Sequence, residues 1–481
     1  MKISLPVSLY LRILLVSLFI TLIGLTPLPK SAVGFMLAAH RSIAANNNTG
    51  AATDLANLAR IFPWRYDLNS TAARYAYQAG DFRAAIQYFE RPGTVSSLSN
   101  DDLLMLGDAY LKSGNSLTAA AIWKHLIALG SPLPATQRLA DLYLQEKDYA
   151  TAASYFQQLL FLDPSRVHLY YQVGELYAVT DPIKALSFLT QAAELDSKDA
   201  AQAKTLYDKI RTANLFDEPA YTSLIVGRQL ANFGEWALAS RAFQHAISLR
   251  SDYADAWAFL GEAKQQITLQ ETGSVADIGR PELELALQID GSSVLANTLF
   301  GLYWERQEDY SQAATYLRKA ISLSPQDPFL YTELGNIFSK AGDLPTAQVA
   351  YESAIQQQPQ DPLFYRLLAQ FALDNNIQIR ELALPAIRQA LLIDPQDSKS
   401  LDMMAEVMLA LLDYRSAERY AQQAVQADPS YAPAYLHLGT AYLYQGKSEQ
   451  AFYWLSQTQA VDPGSWVAGQ ATRMLDYYFP K

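Results

Sequence analysis

From Trp64 to Pro463 apolar residues recur at three- and four-residue intervals, the spacing of one helix face, and they do so in alternating blocks. A first block carries apolar or aromatic residues and then a large-small pair such as Leu-Gly. A short turn follows, often containing Gly-Asp. A second block carries an Ala, a large residue four positions on and another Ala three after that, and Pro closes the unit. The clearest pair of units runs from Ser293 to Pro359. Laid over each other at an offset of 34 residues, Gly301 falls on Gly335, Ala313 on Ala347, Leu317 on Tyr351, Ala320 on Ala354 and Pro325 on Pro359. Self-similarity at such a period predicts helix pairs stacked into an array.

Each position has a physical reason. The small residue of the first helix and the Ala of the second let the paired helices approach closely. The large residues form the stripe packed between neighbours. Gly after the first helix takes the left-handed cap conformation, and Pro stops the second. The small position recurs from Ala73 and Gly107 through Ala140, Gly174, Gly227, Gly261, Gly301, Gly335, Ala369 and Ala405 to Gly439. The closing prolines are Pro164, Pro325, Pro359, Pro395, Pro429 and Pro463, with Pro132 read as a late one. This pattern resembles the tetratricopeptide repeat (TPR) family over about 400 residues. The resemblance implies an all-α, right-handed superhelical solenoid of about eleven TPR-like helix pairs (four before the irregular segment at 198–219 and seven after it).

Three segments break the register. KDAAQAKTLYDKIRTANLFDEP, 198–219, reads as an extra helix or hinge between a first array, 64–197, and a second, 220–463. TLQETGSVADIGRP, 268–281, stands where a tight turn belongs and is expected to project as a loop. LDNNIQIRE, 373–381, adds two residues. The C-terminal stretch 464–481 is amphipathic and reads as the capping helix that a stack requires.

The N-terminus is different in kind. After a short segment, 1–12, containing Lys2 and Arg12, an almost unbroken apolar run extends from Ile13 to Leu28. As a helix these residues reach roughly 24 Å, a little short of the ~30 Å hydrocarbon core unless Arg12 snorkels. The segment 13–28 is expected to be a transmembrane signal-anchor with 1–12 cytoplasmic, or a signal peptide cleaved near Ala32-Val33-Gly34. Both readings place the remainder across the membrane, tethered in the first case and secreted in the second. Residues 29–63 are expected to be a linker and a degenerate helical cap, with Leu55, Leu58 and Ile61 at helical spacing.

Composition narrows the function classes. The formal charge is −11 with no run of Lys and Arg, so no nucleic-acid partner is expected. With no cysteine, disulfides and thiolate chemistry are excluded. None of the five histidines has a partner at metal-binding spacing. Gly446-Lys447-Ser448 lacks the leading glycine of a phosphate loop, since position 441 is Ala. No catalytic, cofactor or metal site is expected, and the chain is read as a non-enzyme.

By resemblance, the residue after each small position faces the inner, concave surface of the array. The candidate partner-binding face is therefore Asp108, Asp141, Glu175, Arg228, Glu262, Asn336, Gln370 and Glu406, with Leu302 and Thr440 in the same series. Its acidic members suit a basic or amine-bearing protein or peptide partner. Bacterial proteins that resemble this layout often serve cell-envelope assembly, secretion or polysaccharide export. The expectation is an extracytoplasmic, membrane-tethered scaffold for protein–protein interaction. The alternatives are a non-catalytic accessory subunit of a membrane glycosyltransferase or surface-polymer polymerase, and a self-assembling structural oligomer.

Overall fold

The computed structural model describes residues 16–17, 29–195, 198–275 and 277–480. Apart from Val16 and Ser17, the apolar run 13–28 and the segment before it lie outside the described residues. Among the described residues no helix is long and apolar enough to cross a membrane, and the secondary structure is helical throughout, with 26 α-helices and no strand.

The chain divides after Thr212 into two compact units. In the first, five consecutive pairs are α1 (Lys30–Ala44) with α2 (Asn48–Ile61), α3 (Tyr66–Gln78) with α4 (Phe82–Phe89), α5 (Asn100–Lys112) with α6 (Ser116–Ala128), α7 (Pro132–Gln145) with α8 (Tyr149–Leu162), and α9 (His168–Ala178) with α10 (Pro182–Glu194). The division falls inside the next helix, α11 (Ala200–Asn214). The second unit holds seven pairs: α12 (Pro219–Asn232) with α13 (Trp236–Leu249), α14 (Ala254–Thr272) with α15 (Arg280–Ile289), α16 (Val294–Arg306) with α17 (Tyr310–Leu323), α18 (Pro328–Lys340) with α19 (Leu344–Gln357), α20 (Pro362–Asp374) with α21 (Leu384–Ile393), α22 (Ser398–Ala410) with α23 (Tyr414–Ala427), and α24 (Ala432–Tyr444) with α25 (Ser448–Val461). A last helix, α26 (Trp466–Tyr478), packs on α24 and α25. Twelve pairs thus stand among the described residues, the additional one being α1–α2 within 29–63.

The large-small rule is visible atom by atom. A Cβ built on Gly227 would lie 2.4 Å from the ring of Phe243, and one on Gly107 would lie 2.3 Å from the indole nitrogen of Trp123. At Gly335 the ring of Tyr351 would be 2.9 Å away, and at Gly301 the Leu317 side chain 3.1 Å away. The partner sits sixteen residues downstream, on the second helix of the same pair. Trp123, Phe156, Phe243 and Leu317 are buried to 1% exposure or less, so these contacts form the core between paired helices.

The turn chemistry is equally regular. Gly80, Gly114, Gly234, Gly342 and Gly446 have φ between 76° and 86° after the first helix. Where the sequence offers no glycine, Lys147, Glu308 and Leu412 adopt the same conformation at φ near 60°. In several pairs an Asp then caps the second helix: Asp309 accepts from the Gln312 amide at 3.0 Å and Asp343 from Thr346 at 3.2 Å, while Asn115 caps α6 and neither Glu235 nor Lys447 makes such a bond.

Two expectations need correction. The 268–281 segment does not simply project. Its first residues extend α14 to Thr272, and the connection then folds back onto the array. Gly279, at φ +85°, sits so close to Gly261 that a Cβ on either would strike the other's backbone, at 2.2 and 2.8 Å. The Tyr303 hydroxyl donates to Asp277, and the Arg280 guanidinium lies 5.1 Å from the Trp304 ring centre. Pro132 does not close a unit but opens α7 at its first turn, where a missing amide donor costs nothing. At 373–381, Asn376 and Gln378 take positive φ and a single π-turn, Ile379–Ala383, absorbs the added residues before α21.

Candidate functional site

Every residue of the expected inner series lies on the first helix of its pair, but the eight candidates are divided between the units. Asp108, Asp141 and Glu175 belong to the first, and Arg228, Glu262, Asn336, Gln370 and Glu406 to the second. Two of the acids are occupied within the protein. Asp108 takes both the Nε and Nη2 of Arg138, at 2.6 and 2.8 Å. Glu262, 9% exposed, accepts from Arg306 Nη1 at 2.9 Å and from Gln266 at 2.8 Å. Each arginine comes from the next first helix of its own unit, so these charges bind pair to pair. Asp141 is exposed and accepts from Gln137 at 3.0 Å. Glu175 is half-buried on α9. Arg228 is exposed, with its guanidinium 5.5 Å from the Phe259 ring centre.

Asn336 and Gln370 are brought together. They line one cleft of about 350 Å³ between the adjacent first helices α18 and α20. Leu367 and Phe371 supply apolar wall, and Lys340, Asp374 and Asn375 supply polar groups at the next turn of each helix. The floor is Tyr351 of α19, whose hydroxyl donates to Asn336 Oδ1. That bond orients the amide, leaving its Nδ2 directed at Glu333 at 3.4 Å. Gln370 Nε2 donates to Asp374 at 2.7 Å. Asn375 Nδ2 is held between Ser339 Oγ at 3.0 Å and the Phe371 carbonyl at 2.8 Å. The cleft therefore presents side-chain amides, a cation and carboxylates above an apolar wall, the groups that pair with a peptide backbone and its side chains.

Its electrostatics are set by burial. The Tyr351 hydroxyl is pushed up to about 12, first by burial and then by the Glu333 and Asp374 carboxylates that face it. Burial also raises Glu333, with Glu305 adding to the effect. Further along the same face, burial raises Glu406, and its neighbours Asp402 and Asp374 reinforce the shift. Beside it, burial opposes charge on His437, but Asp402 at 2.7 Å and Glu406 behind it override this and hold the imidazole up at about 9. Lys340 is paired to Glu305. Lys340 and Asp374 are the charged residues lining the cleft, and with Glu305 and Glu333 beside them the carboxylates outnumber the lysine. Among the described residues no group of three His, Asp or Glu could hold a metal ion.

The sequence places Asn336 and Gln370, with Lys340 four residues on from Asn336, but does not single out Asp374, Asn375 or Tyr351. Asp374 stands four residues beyond Gln370, one helical turn away, as Lys340 does beyond Asn336. Tyr351 is a hydroxyl-bearing ring where the equivalent residues are Leu317 and Leu455.

The tetratricopeptide repeat, as a family, matches this sequence over residues 306–371, and again over 104–178 and 403–465. These three segments carry tetratricopeptide repeats. The first match spans Asn336 and Gln370, the second Asp108, Asp141 and Glu175, and the third Glu406; Arg228 and Glu262 lie outside all three. No curated protein matches the chain. Among solved structures, yeast Tom70 is similar at 14% identity, covering 93% of this chain and 95% of that one with a TM-score of 0.44. YrrB, described as a TPR protein with an unusual peptide-binding site, is similar at 17% identity over 40% of this chain and 97% of its own, with a TM-score of 0.30. Pseudomonas aeruginosa pilF is similar at 18% identity over 47% and 99%, with a TM-score of 0.34.

Proposed function

We propose that this repeat protein is a scaffold that holds an extended, basic segment of a partner protein in the α18–α20 cleft. The observation that carries this reading is the cleft itself, where two predicted inner-face amides, Asn336 and Gln370, open onto one apolar-walled hollow. Paired amides on adjacent first helices match the alternating donors and acceptors of an extended backbone. The surrounding carboxylates favour a Lys or Arg side chain and disfavour an acidic one. Two neutral amides beside acids, with one Lys already paired, also make a poor receptor for a terminal carboxylate.

The scaffold is further proposed to be membrane-tethered through 13–28, with the repeats outside the cytoplasm, where cell-envelope assembly, secretion and polysaccharide export supply partners. The support is the apolar run Ile13–Leu28, which follows Lys2 and Arg12. Peptides selected from a displayed library on the full chain in detergent test the cleft. Enriched sequences carrying Lys or Arg should lose binding to the Asn336→Ala/Gln370→Ala variant. Equal binding to that variant would place the site elsewhere. Protease access to a C-terminal tag in intact cells tests the compartment, and a tag protected until lysis would contradict the orientation.

A further inference from the structure

The first helix of the described array has an outward face that a terminal helix should not have. Helix α1 buries Ala32 and Ala39. Around from these it exposes Met36 at 49%, Val33 at 41% and Leu37 at 53%, a band running from the edge of the packed side toward the opposite side. An end helix of a stacked array needs a polar outer face to stay soluble, so this face calls for a cover. It continues around the end of α2 into a hollow of about 350 Å³ lined by Met36, Leu58, Phe62, Trp64, Leu68 and Arg65. Trp64, 66% exposed, stands edge-on to Phe62 with ring centres 5.7 Å apart.

We infer that this face rests on the membrane surface, with Val33, Met36, Leu37 and Trp64 in the boundary between headgroups and acyl chains. The inference rests on the tether proposed above, because the tether fixes the distance. Leu28 ends the apolar run and Lys30 begins α1. The five residues from Leu28 to Val33 span at most about 17 Å when extended, and roughly 8 Å as helix. The polar boundary of a bilayer is roughly 5–8 Å thick on each side. A helix leaving the bilayer there keeps its first turns within reach of the boundary.

The chemistry of the face agrees. Lys30 and Arg41 lie on the same side of α1 as Val33 and Leu37, at three- and four-residue spacing, and both are exposed. Between residues 29 and 65 four Lys and Arg stand against a single acid, Asp54, in a chain whose formal charge is −11. Arg65 is paired to Asp67 at 2.7 Å, leaving Lys30, Arg41 and Arg60 as the exposed cations. An apolar face ringed by cations, with a Trp at its edge, is the composition that lies in an anionic lipid interface.

The absence of cysteine makes a direct test simple, since one engineered thiol is unique. The full chain carrying Leu37→Cys, or Leu117→Cys as an 84% exposed control on α6, is nitroxide-labelled and reconstituted in vesicles of phosphatidylcholine and phosphatidylglycerol. Flotation after a carbonate wash reports the tether. Power-saturation spectra then compare access of oxygen, which concentrates in lipid, with access of a neutral, water-soluble nickel chelate. The inference predicts a several-fold higher oxygen-to-nickel ratio at position 37 than at 117. If the chain floats and both labels are equally open to nickel, the surface contact is overturned while the tether stands. If the position-37 label is shielded from both reagents, protein and not lipid covers the face, and the inference fails. If the chain does not float, the tether fails and takes the inference with it.

Discussion

Replacing Gly227 by Ala places a methyl carbon 2.4 Å from Phe243, whose ring is fully buried and stacked on Phe259 at 5.3 Å with planes 14° apart. The ring has nowhere to retreat, so overpacking should cost about 1–3 kcal/mol. Against that, Ala in a helix interior is favoured over Gly by about 1 kcal/mol. The net expectation is a loss of up to about 2 kcal/mol. Gly301→Ala is the matched control in the same unit. Its methyl would lie 3.1 Å from Leu317, a branched aliphatic chain that can shift a few tenths of an ångström. There the helix gain should cancel the crowding to within about 0.5 kcal/mol. Urea denaturation of the full chain, with hydrogen exchange read on peptides covering 219–249 and 294–323, separates the two sites. Because a stacked array loses cooperativity locally, the exchange data carry the weight. The reasoning is refuted if both variants lose the same stability, or if Gly301→Ala is the worse of the two. Adding Phe243→Leu to Gly227→Ala should restore part of the loss, because the clash is with that ring.

Other consequences follow from named contacts. Leu412 holds φ 62° while 71% exposed, so Leu412→Gly should stabilise the second unit by about 1 kcal/mol, read as a higher urea midpoint. His437 binds its proton more tightly folded than unfolded. Its contribution is therefore complete below pH ~6.5 and is lost as pH rises through about 9. Stability of wild type should fall across that window by up to about 3 kcal/mol relative to His437→Gln, which should lack this component of the slope. Arg306→Leu leaves the Glu262 carboxylate buried without its cation and should cost about 3 kcal/mol, whereas Glu262→Leu/Arg306→Leu should recover most of it in thermal melts.

The sequence made the scaffold legible because its rules are local. A small residue opposite a large one, a left-handed turn and an acidic cap all fall within one pair of helices, so Gly301 and Gly335 could be registered without any tertiary knowledge. What escaped was non-local or slight. Residues 29–63, expected only as a linker and degenerate helical cap, form the full pair α1–α2, and Asn47 in the turn between them caps α2, accepting from Gly50 at 3.0 Å. The early end of α4 at Phe89 was signalled by Pro92-Gly93 but passed over. There, Asn69 and Thr94 form a buried pair at 3.1 Å, with Arg91 donating to Asn69 at 2.8 Å. The inner-face series was placed on the right helices, but periodicity cannot tell which acids are already spoken for. Asp108 and Glu262 face arginines thirty and forty-four residues away. The cleft depended on Tyr351 reaching from the second helix, a contact that the repeat pattern marks only as large and apolar.

The central claim, that Asn336 and Gln370 grip a basic segment, reduces to one titration. A fluorescently labelled, Lys-containing peptide from the display selection is titrated with the full chain, and anisotropy is read at low and at raised salt. The account predicts saturable binding that weakens by at least about tenfold in Asn336→Ala/Gln370→Ala, the loss of about 1.4 kcal/mol or more expected for two such amides. It also predicts weakening with salt, because the cleft's carboxylates meet the peptide's charge. Binding that is unchanged in the double variant and insensitive to salt would contradict it.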